Sequence, residues 1–198
     1  RTSAPWSRMT HPYTIPNMLT ALRIALIPAI VVLFYLPQPS ADVACGLMFA
    51  LAGITDSFDG YLARKLGQVS PLGAFLDPVA DKLIVATALV LIVSKDPAWY
   101  ITLTAAIIIG REIAISALRE WMSEIGARHK MKVSGIAKFK TIVQITGLSM
   151  MLFRQDLLTL PMYLIGLVLT VLAAVLTLWT MVAYLRAAWP ELRSSGQT

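Results

Sequence analysis

Apolar runs about as long as a bilayer is thick recur from one end of this chain to the other. Roughly 20 apolar residues cross a hydrocarbon core as a helix. Inside lipid only helices and closed barrels can satisfy their own backbone groups. Of the 198 residues 57% are hydrophobic and 14% charged, against about 25% charged in a soluble domain. The mean hydropathy is +0.70. The sequence therefore predicts an all-α, polytopic membrane protein. Six transmembrane helices are expected, near 15–36, 41–65, 72–94, 97–122, 134–154 and 158–185.

The breaks between the spans carry turn chemistry. Pro37 to Ser40 separates the first two, and Gly67 to Pro71 the next two. Asp96-Pro97 opens the fourth, and Pro161 falls in the first turns of the sixth, where proline is tolerated. Residues 15–187 read as one transmembrane catalytic domain. Residues 188–198 read as a cytoplasmic tail. Residues 1–14, with Trp6, His11, Pro12 and Tyr13, read either as a disordered tail or as an interfacial segment. Residues 1–8 read as an addition ahead of a natural start at Met9. The first apolar run is too long for a signal-peptide core and lacks a small-residue cleavage site.

Charge placement sets an orientation. The loops after the first, third and fifth spans hold only Lys95 and Arg154. Arg64, Lys65, Arg128, Lys130, Lys132, Lys138 and Lys140 gather around the loops after the second and fourth. Positive charge marks the cytoplasmic face, so both termini are expected there, as an even number of spans requires. The net charge of +6 is spread over membrane flanks, with no soluble basic domain. That disfavours nucleic acid and favours anionic lipid and a phosphorylated substrate as partners. The loop from Arg128 to Lys132 reads as the lipid-attracting element, and His129 within it has no catalytic partner set. Cys45 is the one cysteine. It reads as a small buried apolar residue, and no intrachain disulfide is possible.

Against this background four acids stand out: Asp56, Asp59, Asp77 and Asp81. Asp56 and Asp59 share a helix face at the end of the second span, and Asp77 and Asp81 share one at the start of the third. A short loop joins those spans, so a hairpin would bring all four together at the cytoplasmic end. Acids next to lipid need compensation. An all-oxygen set suits Mg²⁺, Mn²⁺ or Ca²⁺ and not zinc. Mg²⁺ keeps water and phosphate ligands, so four carboxylates fit two metals better than one, an arrangement used for phosphoryl transfer. Pro78 either kinks the third span or makes Asp77 a helix cap. Gly60, Ala63 and Gly73 either open a slot beside the acids for a base or ribose, or let helices pack closely. Arg64 is either a flanking charge or a phosphate contact.

The string Asp56-x2-Asp59-Gly60-x2-Ala63-Arg64-x8-Gly73-x3-Asp77-x3-Asp81 resembles the full signature of the CDP-alcohol phosphatidyltransferases. The resemblance implies that family's fold. It also implies transfer of a phosphatidyl group from CDP-diacylglycerol to an alcohol, with release of CMP. Carried over position by position, it makes Asp56, Asp59 and Asp77 ligands of two divalent ions, Mg²⁺ or Mn²⁺. Asp81 becomes both a ligand and the general base. Asp59, Gly60, Ala63, Arg64 and Gly73 would line the CDP pocket. Asn17, Thr20 and Arg23 form a polar stripe on the first span, which would reach the nucleotide or its phosphates; the bland reading is an interfacial helix start.

The acceptor is read from the fourth and fifth spans. Gly110-Arg111-Glu112, Ser116 to Trp121, and Gly135-x2-Lys138-x-Lys140-Thr141 are similar to bacterial phosphatidylglycerophosphate synthases, as is Ile15 to Arg23. That likeness implies sn-glycerol 3-phosphate as acceptor, a bacterial inner-membrane location and a homodimer. Arg111 and Lys138 are read as phosphate-binding cations, with Thr141 and, less firmly, Arg119 beside them. Lys140 is read as an interfacial anchor, Lys82 as a snorkelling cation, and Arg111 with Glu112 alternatively as an internal pair. Trp179, Tyr184 and Trp189 are read as interface anchors or packing residues of the last span. Other acceptors, serine or an inositol phosphate, are alternatives within the family. A divalent-cation transporter is the remote alternative.

Overall fold

The computed structural model describes residues 15–66, 71–127, 135–157 and 159–195. The side chains of residues 15–17, 56–66, 71, 72, 74, 135–138, 191, 192, 194 and 195 lie outside the description. Six helices follow one another: α1 (Ile15–Tyr35), α2 (Pro39–Leu66), α3 (Pro71–Lys95), α4 (Trp99–Glu124), α5 (Gly135–Phe153) and α6 (Met162–Ser195). Among the described residues three are long and apolar enough to cross a membrane, over Met18–Tyr35, Trp99–Glu124 and Met162–Pro190. α2 and α5 carry shorter apolar stretches, Pro39–Thr55 and Phe139–Phe153. α3 bears Asp77, Asp81, Lys82 and Lys95 along its length.

The helices alternate in direction. Cys45 of α2 lies against the Ile30 carbonyl of α1, 3.8 Å away. Gly46 and Gly53 of α2 meet Phe153 and Ile145 of α5 in reverse order. The main core, with Phe34, Cys45, Phe49, Ile92, Ile108, Leu148, Leu152 and Ala174 among its members, joins all six helices. Cys45 is fully buried, as expected. The outer surface is apolar: Val32, Leu51, Val90, Ile113, Ile142 and Val175, one from each helix, are all more than half exposed. Such a surface suits contact with lipid better than with water.

Small residues set the closest crossing. A Cβ on Gly147 of α5 would stand 2.9 Å from the Gly166 carbonyl of α6, and one on Gly166 would stand 2.6 Å from the Gly147 carbonyl. Without side chains at these positions the two backbones touch, the small-residue mode of packing common in lipid. α4 ends on Gly126 at φ +72°. The Gly126 N–H donates to the Ser123 carbonyl at 3.1 Å and the Ala127 N–H to the Met122 carbonyl at 2.9 Å. These are the two bonds of a Schellman stop.

α6 runs to Ser195 with Pro190 inside it, so most of the expected tail is helix. The reason is packing: Tyr184 and Ala188, one turn apart, are buried with Ile115, Met122 and Ala127 in a second, smaller core. Pro78 lies inside α3, so Asp77 is not a cap. Pro161 precedes α6, and its carbonyl accepts the Ile165 N–H at 3.1 Å.

At the end where α2 begins and α3 finishes, polar pairs tie helix ends together. Lys95 lies 3.6 Å from Asp42. Gln155 donates to Asp42 at 3.4 Å and Tyr163 to Asp96 at 2.7 Å.

Candidate active site

α1 and α3 run parallel and meet through their polar residues. Thr20 and Arg23 are three apart on α1, and Asp77 and Asp81 are four apart on α3, so each pair presents one face. The Thr20 hydroxyl donates to Asp77 Oδ1. Arg23 Nη1 donates to Asp81 Oδ1. Thr20 and Arg23 are buried to 0% and 2% exposure, while the Asp81 side chain keeps 41%. Thr20 and Arg23 of the polar stripe on α1 are thus turned inward onto α3. They hold the third and fourth motif acids from behind and leave one of them open.

What Asp81 opens onto is a cavity of about 480 Å³. Arg23, Asp81 and Lys82 form one wall; Phe49, Ala52 and Gly53 of α2 form another. Glu112 of α4 and Lys140, Thr141 and Gln144 of α5 stand in the remaining wall, between Ile108, Ile113 and Ile145. α2 packs on α1 and α5, and α3 packs on α1, α4 and α5. α2 and α3 both wall the cavity; the turn between them, 67–70, lies outside the described residues.

The wall formed by α4 and α5 carries its own charges. Arg111 Nη1 lies 2.9 Å from Glu112 Oε2, and Lys140 Nζ lies 3.7 Å from the same oxygen. Arg111 Nη2 donates to the Thr180 hydroxyl of α6 at 3.1 Å. That hydroxyl in turn donates to the Thr177 carbonyl at 2.9 Å. Arg111 is buried and Glu112, not Arg111, lines the cavity. Arg111 thus stands behind the wall, in an internal pair with Glu112.

Lys140 corrects the expectation of an interfacial anchor: it is 5% exposed and lines the cavity. Lys82 likewise lines the cavity instead of only reaching for the interface. Arg119 turns to α6, donating to the Tyr184 hydroxyl at 3.1 Å with its guanidinium 5.2 Å from the ring centre. Of the aromatic residues read as anchors or packing, Tyr184 is buried while Trp179 and Trp189 are exposed.

The structure thus brings Thr20, Arg23, Asp77, Asp81 and Thr141 to or beside one cavity, with Gly73 buried on α3. Asp56, Asp59, Gly60, Ala63 and Arg64 belong to the last turns of α2; their side chains, with those of Asn17 and Lys138, lie outside the described residues. Residues 1–14 and the loop from Arg128 to Lys132 also lie outside them. Glu112 and Gln144 were not read as site residues. Their signal was present: Lys140 and Gln144 are one turn apart on a helix that opens with cations.

The acids present fit a hard cation. Among the described residues no group of three or more His, Cys, Asp or Glu assembles. Asp77 and Asp81 are oxygen donors on one face, and each carboxylate retains lone pairs beyond the bond it accepts. Mg²⁺ or Mn²⁺ matches such donors, and the motif spacing would supply Asp56 and Asp59 from α2.

The family profile described as CDP-alcohol phosphatidyltransferase matches residues 13–182. The chain belongs to that family. A CDP-diacylglycerol–glycerol-3-phosphate 3-phosphatidyltransferase of Pseudomonas fluorescens is 50% identical over 184 residues, covering 92% of this chain and 94% of the relative. Proteins given the same description in Salmonella choleraesuis (strain SC-B67) and Yersinia pestis (strain Pestoides F) are similar as well. The first is 49% identical over 180 residues, 91% of this chain and 97% of the relative. The second is 50% identical over 178 residues, 90% and 96% respectively. As a member of the CDP-alcohol phosphatidyltransferase family, the chain carries every defining position of the motif; its fourth acid, Asp81, lines the cavity and its third, Asp77, stands one turn away on the same helix.

Proposed function

We propose that the protein transfers the phosphatidyl group of CDP-diacylglycerol to sn-glycerol 3-phosphate, giving phosphatidylglycerophosphate and CMP. The observation that carries this reading is the cavity itself. It has a motif acid on one wall and a buried ammonium on another, inside an apolar bundle. The names of the similar proteins supply the same donor and acceptor.

Asp56, Asp59, Asp77 and Asp81 would hold two divalent cations, which when bound neutralise the donor's diphosphate. Thr20 and Arg23 keep Asp77 and Asp81 oriented. Gly60, Ala63, Arg64 and Gly73, with Asn17, Thr20, Arg23 and Asp59, make up the CDP subsite. Lys138, Lys140 and Thr141 take the acceptor's phosphate, with Arg111 behind them; a phosphate ester needs fixed cations in a low-dielectric site.

In the reaction the acceptor's hydroxyl oxygen forms a bond to the β-phosphorus. The bond from that phosphorus to the bridging oxygen breaks, and CMP leaves with the electron pair. Asp81 receives the hydroxyl proton. In-line displacement of this kind is driven by positioning and charge.

The lysine and arginine pattern supports six spans with both termini and the site on the cytoplasmic side of a bacterial inner membrane. The diacyl tails then stay in lipid while the headgroup reacts. The basic loop at Arg128–Lys132 attracts anionic lipid, and a homodimer is the expected assembly.

The test is purified protein in detergent with CDP-diacylglycerol and a panel of alcohols, with and without EDTA. CMP release is expected with glycerol 3-phosphate and is expected to vanish on chelation. Release only with serine or inositol phosphate, or undiminished turnover after EDTA, would overturn the acceptor or the metal part respectively.

A further inference from the structure

Lys140 and Arg111 are cations from different helices, buried to 5% and 7% exposure. Two buried like charges repel strongly in a medium of low dielectric. One oxygen, Glu112 Oε2, lies 2.9 Å from the first of the Arg111 amino groups and 3.7 Å from Lys140 Nζ. The Glu112 side chain is itself 39% exposed, on the cavity side. Arg111 is fixed from the far side by Thr180. Lys140 has a flexible four-carbon stem, and the carboxylate that it pairs with among the described residues is Glu112. Asp81, the acid on the opposite wall, is paired with Arg23.

We propose that Glu112 is a positioning residue for the acceptor: it holds the Lys140 ammonium at the cavity wall, beside a second buried cation, where a phosphate ester can meet it. This rests on the reading that the cavity takes a phosphorylated acceptor. Glutamine at 112 keeps an oxygen for Arg111 but loses the charge that offsets the two cations. Lys140 then swings out of the wall, as long basic side chains do when a better-solvated position is in reach. Glu112 acts through Lys140 and touches no reacting atom.

The experiment is a double-mutant cycle on the full chain, with Glu112→Gln, Lys140→Met and the pair. Steady-state kinetics are measured separately in glycerol 3-phosphate and CDP-diacylglycerol, alongside thermal stability in detergent. Each single substitution is expected to raise KM for glycerol 3-phosphate about tenfold, with KM for CDP-diacylglycerol unmoved. The pair is expected to match Lys140→Met alone, the non-additivity of two residues acting as one unit.

A fall in KM with Glu112→Gln would overturn the proposal, since Glu112 would then merely repel the phosphate. Independent, additive effects would also overturn it. If Lys140→Met leaves KM for glycerol 3-phosphate unchanged, the acceptor-site reading itself fails. Should Glu112→Gln not fold, Glu112→Asp takes its place in the cycle. Aspartate keeps the charge but is one methylene short of bridging both cations, so KM is again expected to rise without adding to Lys140→Met.

Discussion

Asp81 is pulled two ways: its carboxylate accepts from Arg23 on the helix side and opens to the cavity on the other. In the proposed reaction Asp81 takes the proton, and Arg23 would aim the carboxylate. Asp81→Asn keeps the size and can still accept one bond from Arg23, but it cannot take a proton. Turnover is expected to fall by about 10²- to 10⁴-fold, with a lowered melting temperature because buried Arg23 loses its counter-charge. Turnover near the wild-type rate, measured as CMP release, would remove Asp81 from the role of base. The motif spacing made Asp77 and Asp81 legible from sequence, because four residues make one helical turn. Their partners were legible only as a polar stripe. Nothing in the order of residues says that Thr20 finds an acid 57 positions away, or Arg23 one 58 positions away.

At the level of helices, the bundle depends on backbones that touch. Gly147 and Gly166 leave no room for a Cβ, since the nearest atoms are largely backbone. Gly147→Val is therefore expected to push α5 from α6. Overpacking costs roughly 1–3 kcal/mol, to be read as a lowered melting temperature in detergent. An unchanged melting temperature would mean that the crossing yields easily. α5 also carries Lys140 and Thr141, so acceptor binding should suffer along with stability. Helix positions were readable from apolar run lengths and turn residues, and five of the six helices begin and end within a few residues of expectation. The end of α6 was not readable, because Arg186, Pro190 and Arg193 look like a tail. Burial of Tyr184 and Ala188 against α4 keeps it helical, and that contact has no local signature. Lys140 was misread for a similar reason. A lysine near a helix start is ordinarily a flank; among the described residues, Glu112 on a neighbouring helix is the carboxylate that makes its burial tolerable.

For the molecule as a whole, the orientation expected from charge has a direct check. Cys45 is the one cysteine and is buried, so single cysteines introduced elsewhere report with little background. Asp156→Cys, between α5 and α6, is expected to react with a membrane-impermeant thiol reagent added to intact cells. Ser195→Cys, at the far end of α6, is expected to react only after permeabilisation. The reverse pattern would place the cavity on the other side of the membrane. The length of α6 adds a geometric corollary. Its 34 residues amount to about 51 Å at helical rise, whereas the hydrocarbon layer is roughly 30 Å deep. The surplus of some 20 Å makes α6 a mast. A fluorescent reporter spliced behind it would ride clear of the headgroups, leaving the cavity's mouth unobstructed.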